Sequence, residues 1–235
     1  MASSFARLLP PSSVAIVAVL ALLVILVPAF GALVAARNRL AEDSPTRKHA
    51  RYARTMLILW TMTALAIYAL TLHGETTADV GVRTPENPIW YAVGPALVAI
   101  ILSVSGAGRG DISKAYADKV RIVIPWTKAD WAWFVPLAAS AAVCEEFLYR
   151  GYALTQIASL TGSVTVGAIV SSIAFGLGHA YQGRIGMVGT AVTGLIYAAL
   201  FVFGGSLLPC MISHFLQDIV GAAILARRLT PNNVG

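Results

Sequence analysis

The sequence predicts an all-α, polytopic membrane protein of about seven transmembrane helices, with a polar site inside the bilayer. Three observations carry that expectation. Of 235 residues, 57% are hydrophobic and only 12% charged, against about 25% charged in soluble domains. The apolar residues fall in long blocks rather than at amphipathic spacing, which is the pattern of membrane spans. Six ionisable residues lie inside the C-terminal blocks instead of between them. No polar stretch is long enough to bury a core of its own. Residues 1–235 therefore read as a single membrane domain, with three spans in 1–105 and a motif-bearing part in 131–228.

A span needs roughly 20 apolar residues. The first is expected over residues 14–36. Its apolar run exceeds the roughly 7–15 residues of a signal-peptide core, so it reads as a retained anchor. The second covers 55–72 and the third 89–104. The fourth begins near Trp131 and runs through Glu145–Arg150 towards Leu160. The last three cover 164–181, 185–203 and 206–226. Small residues in the later spans (Gly167, Ser171, Ser172, Gly176, Gly178, Gly189, Gly194) predict close helix packing.

The loops carry most of the charge. Arg37, Arg39, Arg47, Lys48, Arg51 and Arg54 crowd the first loop, basic residues outnumber acidic ones over 106–130, and Arg227 and Arg228 follow the last span. Basic loops beside spans are cytoplasmic, so these three segments are expected on one side, with the N-terminus outside. The net charge of +6 thus points to anionic lipid headgroups rather than nucleic acid; no interleaving of aromatics suggests base stacking. Trp126, Trp131 and Trp133 read as an interfacial belt. His49 and His73 read as loop residues. Cys144 and Cys210 lie in apolar stretches without metal-ligand spacing.

Glu145, Glu146, Arg150, His179, His214 and Asp218 are the residues out of place. A charge at the centre of a membrane helix costs about 2.5–3.5 kcal/mol on insertion scales, so such residues need partners or a watery cavity. Glu146 and Arg150 are four apart, the spacing of a helical ion pair. Glu145 points about 100° away from Glu146 on an α-helix, which leaves a second carboxylate for chemistry. Phe175 and His179 share the four-residue spacing, so the ring can wall the imidazole. His214 and Asp218 repeat it, so the carboxylate can fix the tautomer or charge of the imidazole. Taken singly, each has a plain structural reading: a braced helix, an interhelical hydrogen bond, or for Cys144 a small apolar side chain beside Glu145. Three such groups on three separate spans point to a site.

That set suits water activated by a carboxylate and an imidazole, with further donors on the oxyanion. It also suits hydrolysis at a zinc held by His179, His214 and a glutamate, although no His-Glu-x-x-His helix is present. A proton relay for transport is the third option.

Glu-Glu-x-x-x-Arg at 145–150, Phe-x-x-x-His at 175–179 and His-x-x-x-Asp at 214–218, each in an apolar helix, resemble the CPBP family. That family comprises the CAAX prenyl proteases of the second type and the bacteriocin-processing, or Abi, relatives. The resemblance covers roughly 131–228 and implies a glutamate-dependent intramembrane endopeptidase without cofactor or obligatory metal. By position, Glu145 would be the general base, working with His179 on the attacking water. His214 and Asp218 would take the oxyanion-stabilising positions, and Glu146 and Arg150 would brace the site. Asp218 departs from the asparagine of the CAAX proteases. An ionised aspartate donates no hydrogen bond, so Asp218 either stays protonated in its apolar setting or orients and charges His214, the second being the expected role.

The expected function is hydrolysis of a peptide bond near the C-terminus of a membrane-anchored or lipidated substrate. The setting is a cell membrane, with the bacterial inner membrane foremost. A non-catalytic scaffold or bacteriocin-immunity protein, and a metal-dependent membrane protease, are the alternatives. The site should lie between the fourth, fifth and seventh spans. By residue counting, His179 and His214 fall at different depths, which tilt, a kink or a re-entrant segment must reconcile.

Overall fold

The computed structural model describes residues 11–26, 45–104 and 114–229. Among these the regular structure is helical, with no strands. Helix α1 (Pro11–Ala21) continues as a π-turn over Leu22–Leu26; α2 is Pro45–Leu72, α3 Trp90–Val104 and α4 Lys114–Val120. Helix α5 (Lys128–Glu145) passes without a break through a π-helical segment (Glu146–Ala153) into α6 (Leu154–Thr161). Helix α7 (Val164–Gly178), a 3-10 turn (Ala180–Gln182), α8 (Gly183–Gly204) and α9 (Leu208–Arg228) complete the bundle.

Apolar helices stand at all seven expected positions. Four are long and apolar enough to cross a membrane: Thr46–Leu72, Lys128–Thr161, Ala180–Gly204 and Leu208–Arg228. The other three, Val14–Ile25, Trp90–Val104 and Val164–Gly178, are shorter. Residues 27–36 of the first expected span lie outside the described residues. Exposed Leu57, Tyr68, Val104, Ile185 and Phe203 give the outer surface the apolar character a lipid-facing wall needs.

Several span ends differ from the sequence reading, and two of the differences bear on the contacts below. Helix α2 starts at Pro45 rather than near residue 55, because proline's fixed φ suits a first helical position. Lys48, His49 and Arg51 therefore ride on a helix, and His49 is no loop residue. The fifth span stops at Gly178, three residues short of the expected end, where His179 caps it and the 3-10 turn begins.

The early start of α2 builds a joint at one end of the bundle. Lys48 Nζ donates to the Ile124 carbonyl at 3.1 Å, and Arg51 donates to that of Ile122 at 3.3 Å. The Tyr52 hydroxyl donates to the Val123 carbonyl. His49 Nε2 lies 2.7 Å from Asp130 Oδ1. Asp130 also closes a capping box with Thr127 at the start of α5. Arg121 Nη2 reaches the Leu229 carbonyl at 2.9 Å. The three basic segments thus meet at one end of the molecule, as the charge pattern predicted. Trp126 and Trp133 belong to this joint, Trp126 with Lys48 and Arg121 over its ring and Trp133 stacked on His49.

Residues 73–89 close the other end. Gln156 Nε2 donates to Glu75 at 2.7 Å, the Leu207 N–H to the Gly81 carbonyl at 2.9 Å, and Arg83 Nε to the Gly205 carbonyl at 2.9 Å. Gly205 ends α8 with φ 65°, the left-handed cap that glycine supplies without strain. In this loop Asp79 accepts from the hydroxyl and the backbone N–H of Thr76, both at 2.7 Å, which hold its carboxyl below the usual range.

Helices α7 and α8 approach closely where small residues face each other. A Cβ on Gly176 would meet Ala191 Cβ at 2.6 Å, and one on Gly194 would meet Ser172 Cβ at 3.1 Å. Gly189 behaves differently: a Cβ there would meet nothing within 4 Å, because Gly189 lines a cavity.

Candidate active site

Glu145 and Glu146 sit where α5 gives way to the π-helical segment. A π-turn spreads more residues around each turn than an α-turn and recurs at functional sites. Both neighbouring carboxylates reach one imidazole, His214 of α9. Glu146 Oε1 is 2.8 Å from His214 Nδ1. Glu145 Oε2 is 3.8 Å from His214 Nε2, and Asp218 Oδ2 lies 3.8 Å from the same nitrogen. Three carboxylates thus surround one ring.

Only a carboxylate can accept in the Glu146 contact, so His214 Nδ1 carries the proton there. The sequence reading expects Asp218 to orient and charge His214; in the structure the ring's hydrogen bond is to Glu146, with Asp218 at ion-pair distance. The reason is geometric, since Asp218 stands one helical turn along α9 at ion-pair distance, whereas Glu146 approaches in reach from the facing helix.

Arg150 braces this arrangement from beneath. It is fully buried, with Nη1 3.2 Å from Glu146 Oε1, as the four-residue spacing predicted. That approach is an ion pair without hydrogen-bond alignment: among the described residues, Glu146 Oε2, both Arg150 Nη atoms and Ser172 Oγ have no hydrogen-bond partner. The guanidinium lies 4.2 Å over the Phe175 ring and 5.8 Å from the Tyr197 ring, positions in which aromatic faces attract a cation. Gly194 permits this, because a Cβ there would come within 3.2 Å of Arg150 Nη2.

His179 ends α7. Its Nδ1 donates to the Phe175 carbonyl at 2.9 Å, which leaves Nε2 as the acceptor of a neutral ring. The Phe175 ring meets His179 edge-on at 4.7 Å and His214 at 6.2 Å. One aromatic ring therefore touches both imidazoles, and the difference in depth suggested by residue counting disappears in the assembled bundle. Among the described residues, the ion-pair partner of Glu145 is His214 rather than His179.

A cavity of about 740 Å³ opens beside these groups. His179, His214 and Asp218 form its polar wall, with Tyr197 and Gln217 beside them. Leu102, Val120, Ile185, Val192 and Leu225 are among its apolar lining, and Gly186, Gly189 and Gly221 give it width. Glu145 joins the site through His214, its side chain 16% exposed. The structure thus brings together all six residues singled out in the sequence, on α5 with its π-helical extension, the end of α7, and α9. Tyr197 and Gln217 were missed. Gln217 left a readable signal, a polar side chain three residues after His214 in an apolar helix; Tyr197 left none. No three His, Cys, Asp or Glu side chains among the described residues are grouped as a metal-ligand set.

No curated protein and no solved structure matches the chain. Residues 126–220, the segment that carries every one of these site residues, match the family model described as type II CAAX prenyl endopeptidase Rce1-like, the protease family to which the three motifs pointed.

Proposed function

We propose that the protein is an intramembrane endopeptidase in which Glu145 and the two histidines activate water against a peptide bond near the C-terminus of a membrane-associated substrate. The observation that carries the reading is the convergence of Glu145, Glu146 and Asp218 on His214, beside His179 on the wall of a largely apolar cavity. Glu145 Oε2 and His214 Nε2, 3.8 Å apart, are too far for a direct hydrogen bond and spaced so that one water can bond to both. Glu145 takes the proton of that water as general base, with the free Nε2 of His179 as a second acceptor nearby. A cationic His214, held through Nδ1 by Glu146, presents Nε2–H to the developing oxyanion. The proton then passes to the leaving amine, as microscopic reversibility requires of the same group.

The apolar lining fits a lipid-bearing substrate, and the family match supports a prenylated CAAX peptide as the substrate class. A bacterial inner membrane, with the basic end of the bundle in the cytoplasm, is the setting this reading proposes.

The test is Glu145→Gln in a cleavage assay on liposome-embedded protein. The expected outcome is loss of cleavage with normal insertion and an unchanged melting temperature. Wild-type cleavage by this variant contradicts the reading, and abolition of wild-type activity by a chelator would turn it towards a metal-dependent protease.

A further inference from the structure

We propose that the side-chain amide of Gln217 donates a hydrogen bond to the substrate carbonyl and its oxyanion, so that Gln217 is a further catalytic residue; the inference rests on the protease reading above. Three observations carry it. Gln217 lines the same cavity as His179, His214 and Asp218. It follows His214 by three residues and precedes Asp218 by one on α9, so all three side chains share a helix face. And the amide is held in one orientation: the Tyr197 hydroxyl donates to Gln217 Oε1 at 2.8 Å. That bond engages Oε1 and turns Nε2 away from Tyr197. Among the described residues Nε2 has no hydrogen-bond partner of its own, so its two N–H groups remain for a ligand in the cavity.

The chemistry of the site gives this donor a task. An oxyanion hole needs N–H or O–H donors fixed in advance. His214 supplies one through Nε2. Asp218, in its ionised form, supplies none and would repel the developing charge. Gln217 is the neutral amide next to it, and its fixed donors offset that deficit. Tyr197 acts through Gln217 and is a positioning residue for this purpose.

The experiment measures kcat and KM for the full chain in liposomes, on two quenched peptides, one C-terminally prenylated and one membrane-inserted without a lipid. Two variants remove the donor in different ways. Gln217→Glu keeps the acceptor for Tyr197 and loses the N–H groups; Gln217→Met keeps length and flexibility and loses both. Each should lower kcat about 100-fold, the scale for one oxyanion donor, with KM within about threefold of wild type. Tyr197→Phe should lower kcat by about tenfold or less and leave KM unchanged, since the donor stays but is no longer held. Wild-type kcat in both Gln217 variants, with Glu145→Gln inactive, overturns the inference and leaves the protease reading standing. Cleavage by Glu145→Gln at the wild-type rate, or an intact peptide with wild type, overturns the protease reading and this inference with it.

Discussion

Two histidine–carboxylate clusters occupy the same bundle, and they are finished differently. At the basic end, Asp130 takes His49 at 2.7 Å, the backbone N–H groups of Trp126 and Thr127 at 3.0 and 3.2 Å, and Lys48 at 3.7 Å. Every contact closes on protein. Inside the bundle, His214 draws Glu146, Glu145 and Asp218, yet among the described residues Glu146 Oε2 and both Arg150 Nη atoms lack hydrogen-bond partners, and the ring faces a cavity. Buried polar groups are costly when left unsatisfied. A cluster that exists to join helices satisfies them, as Asp130 does. A cluster proposed to meet a substrate keeps polar groups on a cavity wall, as His214 and Asp218 do. The same residue types thus make a joint in one place and, in the proposed reading, a site in the other.

The sharpest way to break that comparison is to remove one carboxylate from each cluster. Glu145→Gln should abolish turnover, a loss of at least about 1,000-fold, while melting temperature changes little. Asp130→Asn should do the reverse. It loses charge-assisted bonds to His49 and the cap, so stability should fall by about 1–3 kcal/mol with turnover per folded molecule kept. Thermal unfolding and active-fraction titration separate the two. If Asp130→Asn abolishes turnover without destabilising, the joint is not merely structural.

Arg150→Met tests the floor of the site. Taking away one partner of a buried ion pair leaves an unpaired charge, at a cost of about 3–5 kcal/mol. Unfolding should therefore move further than in Asp130→Asn, and activity should fall with it. Arg150→Met combined with Glu146→Gln should recover part of the stability and none of the activity, because His214 then loses its charged holder.

How much of this was legible in the sequence follows from the range of the interactions. A charge inside an apolar run is visible without a structure, so all six residues could be chosen. The Glu146–Arg150 pair lies on one helix, and helical spacing alone found it. His214 and Glu146 are 68 positions apart, and which carboxylate grips the ring depends on how α9 faces α5. No local rule carries that information, so the Glu146 hydrogen bond to the ring was not foreseen beside the Asp218 pairing. That both glutamates reach one ring is a matter of tertiary packing too. His49 and Asp130, 81 apart, looked unremarkable for the same reason, compounded by a helix start that a hydropathy boundary places ten residues late. Spans were legible as apolar runs; the start of α2 and the end of α7 were not, because Pro45 opens the one and His179 caps the other by backbone geometry rather than by hydropathy.

A smaller effect sharpens the account of the cavity. Gly189→Leu puts a side chain into open space, and replacing a helical glycine favours the helix by up to about 1 kcal/mol. Stability should hold or rise slightly while KM for a lipid-bearing peptide rises by about tenfold. An unchanged KM would place the substrate elsewhere. The smallest effect expected is from His49→Phe. It keeps the stack on Trp133 and loses one hydrogen bond, about 1 kcal/mol, with no change in kcat.

The most direct measurement is the cleavage rate of liposome-embedded wild type, Glu145→Gln and Asp130→Asn on one quenched peptide, each normalised to folded protein. The account predicts cleavage by wild type and Asp130→Asn at similar rates and none by Glu145→Gln. Equal cleavage by wild type and Glu145→Gln would contradict it.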